Sequence, residues 1–150
     1  MMTRQTLLRT TAVAGLLALG LAGCGHMKSS SGTASYHATL SGSQEVPPRA
    51  GGGRGEADVR VNTNTNTVSW KVTYSGLSGP ATAGHIHGPA APGANAGVMV
   101  PFSNVGTPTF QGEAKITPAQ AAEIAAGRTY VNIHTAAAPG GEIRGQLQKR

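Results

Sequence analysis

Two histidines flank a single isoleucine in a segment closed on both sides by glycine and proline. His85 and His87 are separated only by Ile86. Side chains of an extended strand alternate between its two faces, so this spacing puts both imidazoles on one face and Ile86 on the other. Imidazoles that converge in this way can bind one metal ion. The same pattern also fits two solvated strand positions, so it needs support from elsewhere in the chain.

A third histidine ends a second strand-like segment, residues 130–134. There Val131 and Ile133 alternate with polar residues that include His134. Three imidazoles at one site suit copper, zinc or nickel by ligand type. His37, in the first predicted strand, is a possible additional ligand. The alternative is architectural, in which the histidines bond to loops that shape the fold and no metal is involved.

The last predicted strand, residues 142–147, adds charged groups. A short stretch of small residues, 135–141, links it to the strand of His134, which predicts a hairpin with Glu142 near His134. Glu142 and Arg144 are therefore possible additional site residues. Alternatively they form an ion pair with each other, or Arg144 pairs with Glu45.

Short alternating segments separated by turn residues organise the chain from residue 36 onward. They predict an all-β protein, a Greek-key antiparallel β-sandwich or barrel. Trp70 lies in the strongest of these segments and is predicted to be a core residue, with stacking on a ligand as the alternative. Thr117, Pro118 and Gln120 form a helix-start pattern that Gly127 closes. One short helix is thus inserted before the last two strands.

The amino-terminal region is typical of an export signal. Residues 1–23 combine two arginines with an apolar run too short to span a bilayer permanently. The Leu-Ala-Gly-Cys sequence that ends at Cys24 resembles a bacterial lipobox, which implies cleavage before Cys24 and lipid attachment to its thiol. Gly25 favours the outer membrane or periplasmic side over retention at the inner membrane. The alternative is an ordinary signal peptide that ends near a cysteine.

Composition narrows the remaining possibilities. Residues 24–35 are predicted to form a flexible tether and residues 36–150 one folded domain. Cys24 is the only cysteine, so no intramolecular disulfide can form. The net charge of +6 falls to about +4 without the signal, and scattered basic residues with few aromatics do not favour nucleic-acid binding. A membrane contact through the lipid is expected, whereas a protein partner and the oligomeric state stay open.

Several motifs in order resemble the CHRD domain, a family first described in chordin and common in bacterial secreted proteins. The similarity is carried by residues 37–42, 44–48, 76–90, 130–135 and 140–147. It covers nearly the whole predicted domain. It implies a β-sandwich fold more than a defined activity.

A fainter similarity concerns the copper-ligand strands of Cu/Zn superoxide dismutases. The sequence Gly-His-Ile-His at 84–87 resembles the motif Gly-x-His-x-His, and residues 127–134 are similar to Gly-Arg-x-x-Val-x-His. The resemblance implies that His85, His87 and His134 bind copper and that Arg144 attracts an anionic substrate. No histidine lies between His87 and His134, so a zinc-bridging ligand has no counterpart.

The predicted function is therefore a lipid-anchored envelope protein that binds a copper-type metal through strand histidines. One alternative is a metal-free structural or interaction domain of the envelope. A second is a copper-only, dismutase-like redox enzyme, which would need an open coordination position.

Overall fold

The structure, a computed structural model, describes residues 32–150 of the chain. The predicted signal peptide at 1–23, the lipidation site Cys24 and most of the predicted tether at 24–35 lie outside the described residues. In the described part, no helix has the length and apolarity needed to cross a membrane.

Nine strands, one α-helix and one 3-10 helix make up the regular structure of residues 32–150. In chain order the elements are β1 (Thr33–Ser41), a 3-10 helix (Gly42–Gln44), β2 (Arg54–Asn62), β3 (Thr67–Ser75), β4 (Ala81–His87), β5 (Val98–Pro101), β6 (Thr109–Lys115), α1 (Pro118–Ala125), β7 (Tyr130–Thr135), β8 (Ala138–Gln146) and β9 (Gln148–Lys149). The prediction of an all-β fold with one short helix before the last strands is confirmed.

The link between β7 and β8 is shorter than the sequence predicts. Thr135 pairs with Ala138, so only two residues form the turn and residues 139–141 belong to β8. The prediction that the whole of 135–141 is a turn is therefore wrong. The reason is that a two-residue turn already closes the hairpin, and the small residues after it continue the ladder.

One antiparallel sheet contains all the strands. Their order is β5-β4-β7-β8-β1-β2-β3-β6, with β9 paired to β1. The two end strands, β5 and β6, follow each other in the chain, and Phe102 between them packs on Trp70 with ring centroids 4.6 Å apart and on Phe110 at 5.8 Å. The sheet thus rolls into a nearly closed barrel, which the connections β3–β4 and β6–β7 cross in Greek-key fashion.

The alternation of apolar residues places one core inside this barrel. Every strand from β1 to β8 contributes at least one buried apolar side chain, among them Leu40, Val59, Val72, Ile86, Val100, Phe110, Val131 and Ile143. Trp70 is 4% exposed and belongs to this core, as predicted. The helix α1 buries Ala121 and Ile124 and thus packs against the core of the barrel.

The ends of α1 follow the local sequence. The Thr117 hydroxyl accepts a hydrogen bond from the Gln120 amide at 3.1 Å, and the Gln120 side chain accepts one from the Thr117 amide at 2.8 Å. This reciprocal pair satisfies two amides that the first helical turn leaves free. Gly127 ends the helix at a φ of 69°, a conformation that glycine adopts without strain. The predicted helix-start pattern of Thr117, Pro118 and Gln120 is confirmed as a capping box.

Candidate metal centre

Two neighbouring strands bring the three predicted histidines to the same face of the sheet. In β4, Ile86 is fully buried in the core, so His85 and His87 point to the opposite side. In β7, the buried Ile133 leaves His134 on that same side. Strand pairing aligns Ala83 with His134 and His85 with Asn132, so the imidazoles of His85 and His134 become diagonal neighbours, whereas His87 lies opposite Tyr130.

The three imidazoles form a compact cluster. The Nδ1 atom of His85 lies 3.1 Å from the Nε2 atom of His134. Ring centroids are 5.2 Å apart for His85 and His87, and 5.9 Å for His87 and His134. One nitrogen from each ring lies within 4.8 Å of the other two. In residues 32–150, no other group of three or more His, Cys, Asp or Glu side chains has this geometry.

Backbone carbonyls determine which nitrogen two of these rings present. The Nδ1 atom of His87 lies 3.0 Å from the Ala96 carbonyl oxygen, and Nδ1 of His134 lies 3.0 Å from that of Pro139. A carbonyl only accepts, so each Nδ1 carries the proton and each Nε2 keeps its lone pair. The Nε2 atom of His87 is buried and has no hydrogen-bond partner. The Nε2 atom of His134 then accepts from Nδ1 of His85 at 3.1 Å, so in the metal-free protein His85 carries its proton on Nδ1. The Nε2 atoms of His87 and His134 are thus available to a metal directly, whereas Nδ1 of His85 becomes a ligand only when its proton moves to Nε2.

The sequence model of the CHRD domain matches residues 36–147. The chain belongs to the CHRD domain family. The matched span contains the three clustered histidines and all strands from β2 to β8. No curated protein and no solved structure shows a significant match to the chain, so the likeness to superoxide dismutase strands stays a prediction.

Burial keeps the histidines of this CHRD domain in their neutral, ligand-competent form. Burial, together with the smaller effect of the neighbouring charges of His134 and His87 when these are protonated, lowers the pKa of His85 to about 4. Burial also lowers the pKa of His87 and of His134, although carbonyl hydrogen bonds oppose the shift. All three imidazoles are therefore neutral at neutral pH, and a metal ion need not displace a proton from a charged ring.

The donor set fits a transition metal. Bonds of about 2.0–2.1 Å to imidazole nitrogen place two ligands of one ion at most about 4 Å apart. The separations of up to 4.8 Å are close to this limit, so side-chain shifts of under about 1 Å suffice. Nitrogen donors without a carboxylate suit zinc, copper or nickel rather than calcium or magnesium. Three protein ligands also leave a position for a further ligand.

The structure places the other predicted site residues outside this cluster. The Nδ1 atom of His37 lies 3.0 Å from an Asp58 carboxylate oxygen, which also accepts from Arg150 at 2.9 Å. Glu142 accepts hydrogen bonds from the backbone amide and hydroxyl of Ser78, each at 2.6 Å, and from the Thr135 hydroxyl. Although burial raises the pKa of Glu142, these hydrogen bonds together lower it below its ordinary value.

Arg144 is buried instead of lining an open surface. Its side chain is 2% exposed, and its guanidinium donates to the Asn95 side-chain oxygen at 2.8 Å and to the Ala94 carbonyl at 2.6 Å. The predicted ion pair with Glu142 is therefore wrong, because each partner is engaged elsewhere. The alternative pair of Arg144 with Glu45 does not form among the described residues either. The Glu45 carboxylate accepts a hydrogen bond from Asn132 at 2.6 Å, and Arg144 acts on this carboxylate through its charge.

The sequence interpretation missed the groups that surround the histidines. Tyr130 and Asn132 share a face of β7 with His134, a signal that alternation already contained, but both are buried and not solvated. Glu45 is 6% exposed, and burial raises the pKa of its carboxyl against the hydrogen bond from Asn132 and the charge of Arg144. No local pattern indicated that the Ala96 and Pro139 carbonyls would orient two imidazoles.

Proposed function

We propose that this CHRD domain is a metal-binding module whose ligands are His85, His87 and His134. The observation that carries the proposal is the Nε2 atom of His87, which is buried, holds a lone pair and has no hydrogen-bond partner. An unpartnered buried polar atom is costly unless something binds it. A metal ion at this position would restore the missing interaction.

Copper is the metal that we propose for this site. Imidazole nitrogen is a ligand for which copper has high affinity among the divalent first-row metals. The resemblance of the two histidine strands to copper-ligand strands points the same way. The Nε2 atoms of His87 and His134 would bind and orient the ion. His85 would give up its hydrogen bond to His134, move its proton to Nε2 and bind the ion through Nδ1. A bound copper ion would supply one-electron redox chemistry.

Titration of the full-length chain with Cu(II) and Zn(II) tests this function. We expect one ion per chain, with Cu(II) bound more tightly than Zn(II). The variant H85A removes one ligand, so its affinity should fall by more than the roughly 10–100-fold that loss of an outer-shell partner costs. H37A is the matched control, because His37 contacts Asp58 outside the cluster. Equal affinities of H85A and H37A would exclude the site.

A metal-free architectural role is the second candidate, and one observation favours it. Each of the three histidines already has a hydrogen bond within the protein, to each other or to the Ala96 and Pro139 carbonyls. Under this alternative the wild-type chain binds neither Cu(II) nor Zn(II) specifically, and H85A lowers only the free energy of unfolding.

A dismutase-like enzyme is the third candidate, favoured by the three-ligand set, which leaves a coordination position for substrate. The burial of Arg144 argues against it, since a 2% exposed guanidinium offers no surface to attract an anion. A superoxide assay on the copper-loaded chain distinguishes an enzyme from a binding module. Decay no faster than with free buffer would exclude the enzyme.

We also propose that the module is tethered by lipid to the cell envelope, on the outer-membrane or periplasmic side. The support is the Leu-Ala-Gly-Cys sequence that ends at Cys24 and the polar stretch that follows it. The variant C24S should leave the membrane fraction or remain uncleaved, and its mass should lack the lipid. An unchanged fractionation and mass would contradict the anchor.

A further inference from the structure

Three planar groups are stacked behind the candidate metal centre. The Tyr130 ring lies parallel to the His87 imidazole, with centroids 4.9 Å apart and an interplanar angle of 4°. The guanidinium carbon of Arg144 lies 3.5 Å from the centroid of the Tyr130 ring. A cation over a desolvated aromatic ring is an attractive arrangement. The His87 imidazole and the buried Arg144 guanidinium thus both contact the Tyr130 ring.

All three stacked groups also hold the same short segment, residues 94–96, of the loop between β4 and β5. Arg144 donates to Asn95 and to the Ala94 carbonyl. The Tyr130 hydroxyl accepts from the Ala96 amide at 3.1 Å and donates to the Ala96 carbonyl at 3.3 Å. That carbonyl is also the one that Nδ1 of His87 contacts at 3.0 Å. The acceptor that sets the protonated nitrogen of His87 is therefore held by Tyr130 and, one residue away, by Arg144.

We propose that Tyr130 and Arg144 are positioning residues that fix His87 as an Nε2 ligand by holding the segment 94–96 over it. Without this segment the Nδ1–H of His87 loses its carbonyl acceptor, and the ring is free to exchange tautomers and rotate. Outer-shell partners act in this way on metal-bound histidines. The effect on metal affinity rests on the proposed function, whereas the effect on the tautomer does not.

The role of Arg144 depends on its shape as well as its charge. A guanidinium is planar and offers several donors in a fixed plane, so it can stack on Tyr130 and reach Asn95 and Ala94 at once. A lysine ammonium keeps the charge but cannot stack as a plane or bridge both acceptors. The variant R144K therefore separates positioning from simple electrostatics, in which lysine would replace arginine without loss.

Nitrogen-15 NMR of the metal-free, full-length chain tests the tautomer of His87 directly. In wild type we expect the Nδ1–H form. The variant Y130F keeps the stacked ring but removes both hydroxyl contacts to Ala96, so a mixture of Nδ1–H and Nε2–H forms is expected. N95A removes an acceptor of Arg144 from an exposed residue and should shift His87 in the same direction by a smaller amount. An unchanged His87 tautomer in both variants would overturn the proposal.

Copper titration of the wild type and of the variants Y130F, R144K and R144Q measures the consequence for metal affinity. We expect Y130F and R144K each to weaken Cu(II) binding about tenfold. R128K is the control, because the exposed Arg128 side chain pairs with Glu123 at 2.6 Å, on a different element from the histidines. The affinity of R128K should equal that of wild type. Wild-type affinity in R144K together with a loss in R144Q would overturn positioning in favour of charge.

The two experiments keep the two claims apart. If the wild-type chain binds no copper or zinc, the proposed function fails, and the His87 tautomer alone still decides whether Tyr130 and Arg144 position the ring. If R144K does not fold, as shown by a lost unfolding transition, Y130F and N95A decide the matter, because each removes contacts without emptying a buried volume of arginine size.

Discussion

The strands β2 and β7 lie in the same barrel and treat their two faces differently. In β2, the buried residues Ala57, Val59 and Val61 alternate with exposed polar residues. In β7, all six residues are buried. The pairing also differs, since β2 matches both neighbours without a register shift, whereas β7 has a shift against β4 and another against β8.

The difference arises from what covers the outer face. Beside β2 that face is open and carries charged residues such as Arg60 and Lys71. Beside β7 it is covered by the loop between β4 and β5 and by the segment after β1, which Asn95 joins through a hydrogen bond to the Val46 carbonyl at 2.9 Å. Burying the polar side chains of this outer face is costly unless each polar group finds a hydrogen-bond partner. The covered outer face of β7 is thus a buried polar layer that lies against the apolar core of the barrel.

The largest expected effect comes from emptying the core beneath the open face. Trp70 fills the barrel between Phe102 and Gly112, so W70A should lower the free energy of unfolding by about 3–5 kcal/mol in a denaturant titration. Copper stoichiometry should stay that of wild type, because Trp70 contacts none of the three histidines. Loss of copper binding at temperatures where W70A is folded would show that the two regions are coupled.

A smaller loss is expected in the covered region, where polar contacts replace apolar packing. Asn132 is 2% exposed and donates to the Glu45 carboxylate at 2.6 Å. In N132A that buried carboxylate loses its donor, so the free energy of unfolding should fall by about 1.5–3 kcal/mol. Ser69 on the open face of β3 gives the matched control, S69A, which should change it by less than about 0.5 kcal/mol. Equal effects of the two variants would contradict the distinction between the faces.

The sequence predicted the open region better than the covered one, for a physical reason. Alternation of Val59, Trp70 and their neighbours reports which face meets the core, and the open face needs no further information. The same alternation put His85, His87 and His134 on one face, and the structure places them together there. It gave no sign that distant loops would bury that face, because loop coverage depends on contacts such as Asn95 to Val46, which lie far apart in the chain. Arg144 was therefore expected at the surface and is found beneath a loop.

Acid should lower the free energy of unfolding through the buried histidines of the covered region. The pKa of His85 is about 4 in the folded chain against an ordinary value of 6.5, so the unfolded chain binds more protons between these values. Stability is therefore fully present above pH 6.5 and is lost as the pH falls towards 4. Between pH 7 and pH 6 we expect His85 alone to cost the metal-free protein less than about 1 kcal/mol. Burial also lowers the pKa of His87 and of His134, so these two add to the loss. Denaturant titrations across this range measure the slope.

Two variants separate the origin of that slope from general acid sensitivity. H85A removes the most strongly shifted group and should flatten the decline between pH 6.5 and 4. W70A should lower the whole curve without changing its slope, because it alters no titrating group near the cluster. A stability that rises as the pH falls through this range would contradict neutral burial of the histidines.

The smallest effect is expected on the open face itself. Lys71 is exposed on β3, where its side chain points away from the core residues Trp70 and Val72. K71Q keeps a long polar side chain in a strand and removes one charge that solvent screens, so the free energy of unfolding should change by no more than about 0.5 kcal/mol. Copper affinity should not change. R144Q, which also replaces a cation of the same sheet by glutamine, should weaken copper binding, so the pair compares the same chemical change on an open and a covered face. If K71Q and R144Q had equal effects on copper affinity, coverage by the loop would not be what gives Arg144 its role.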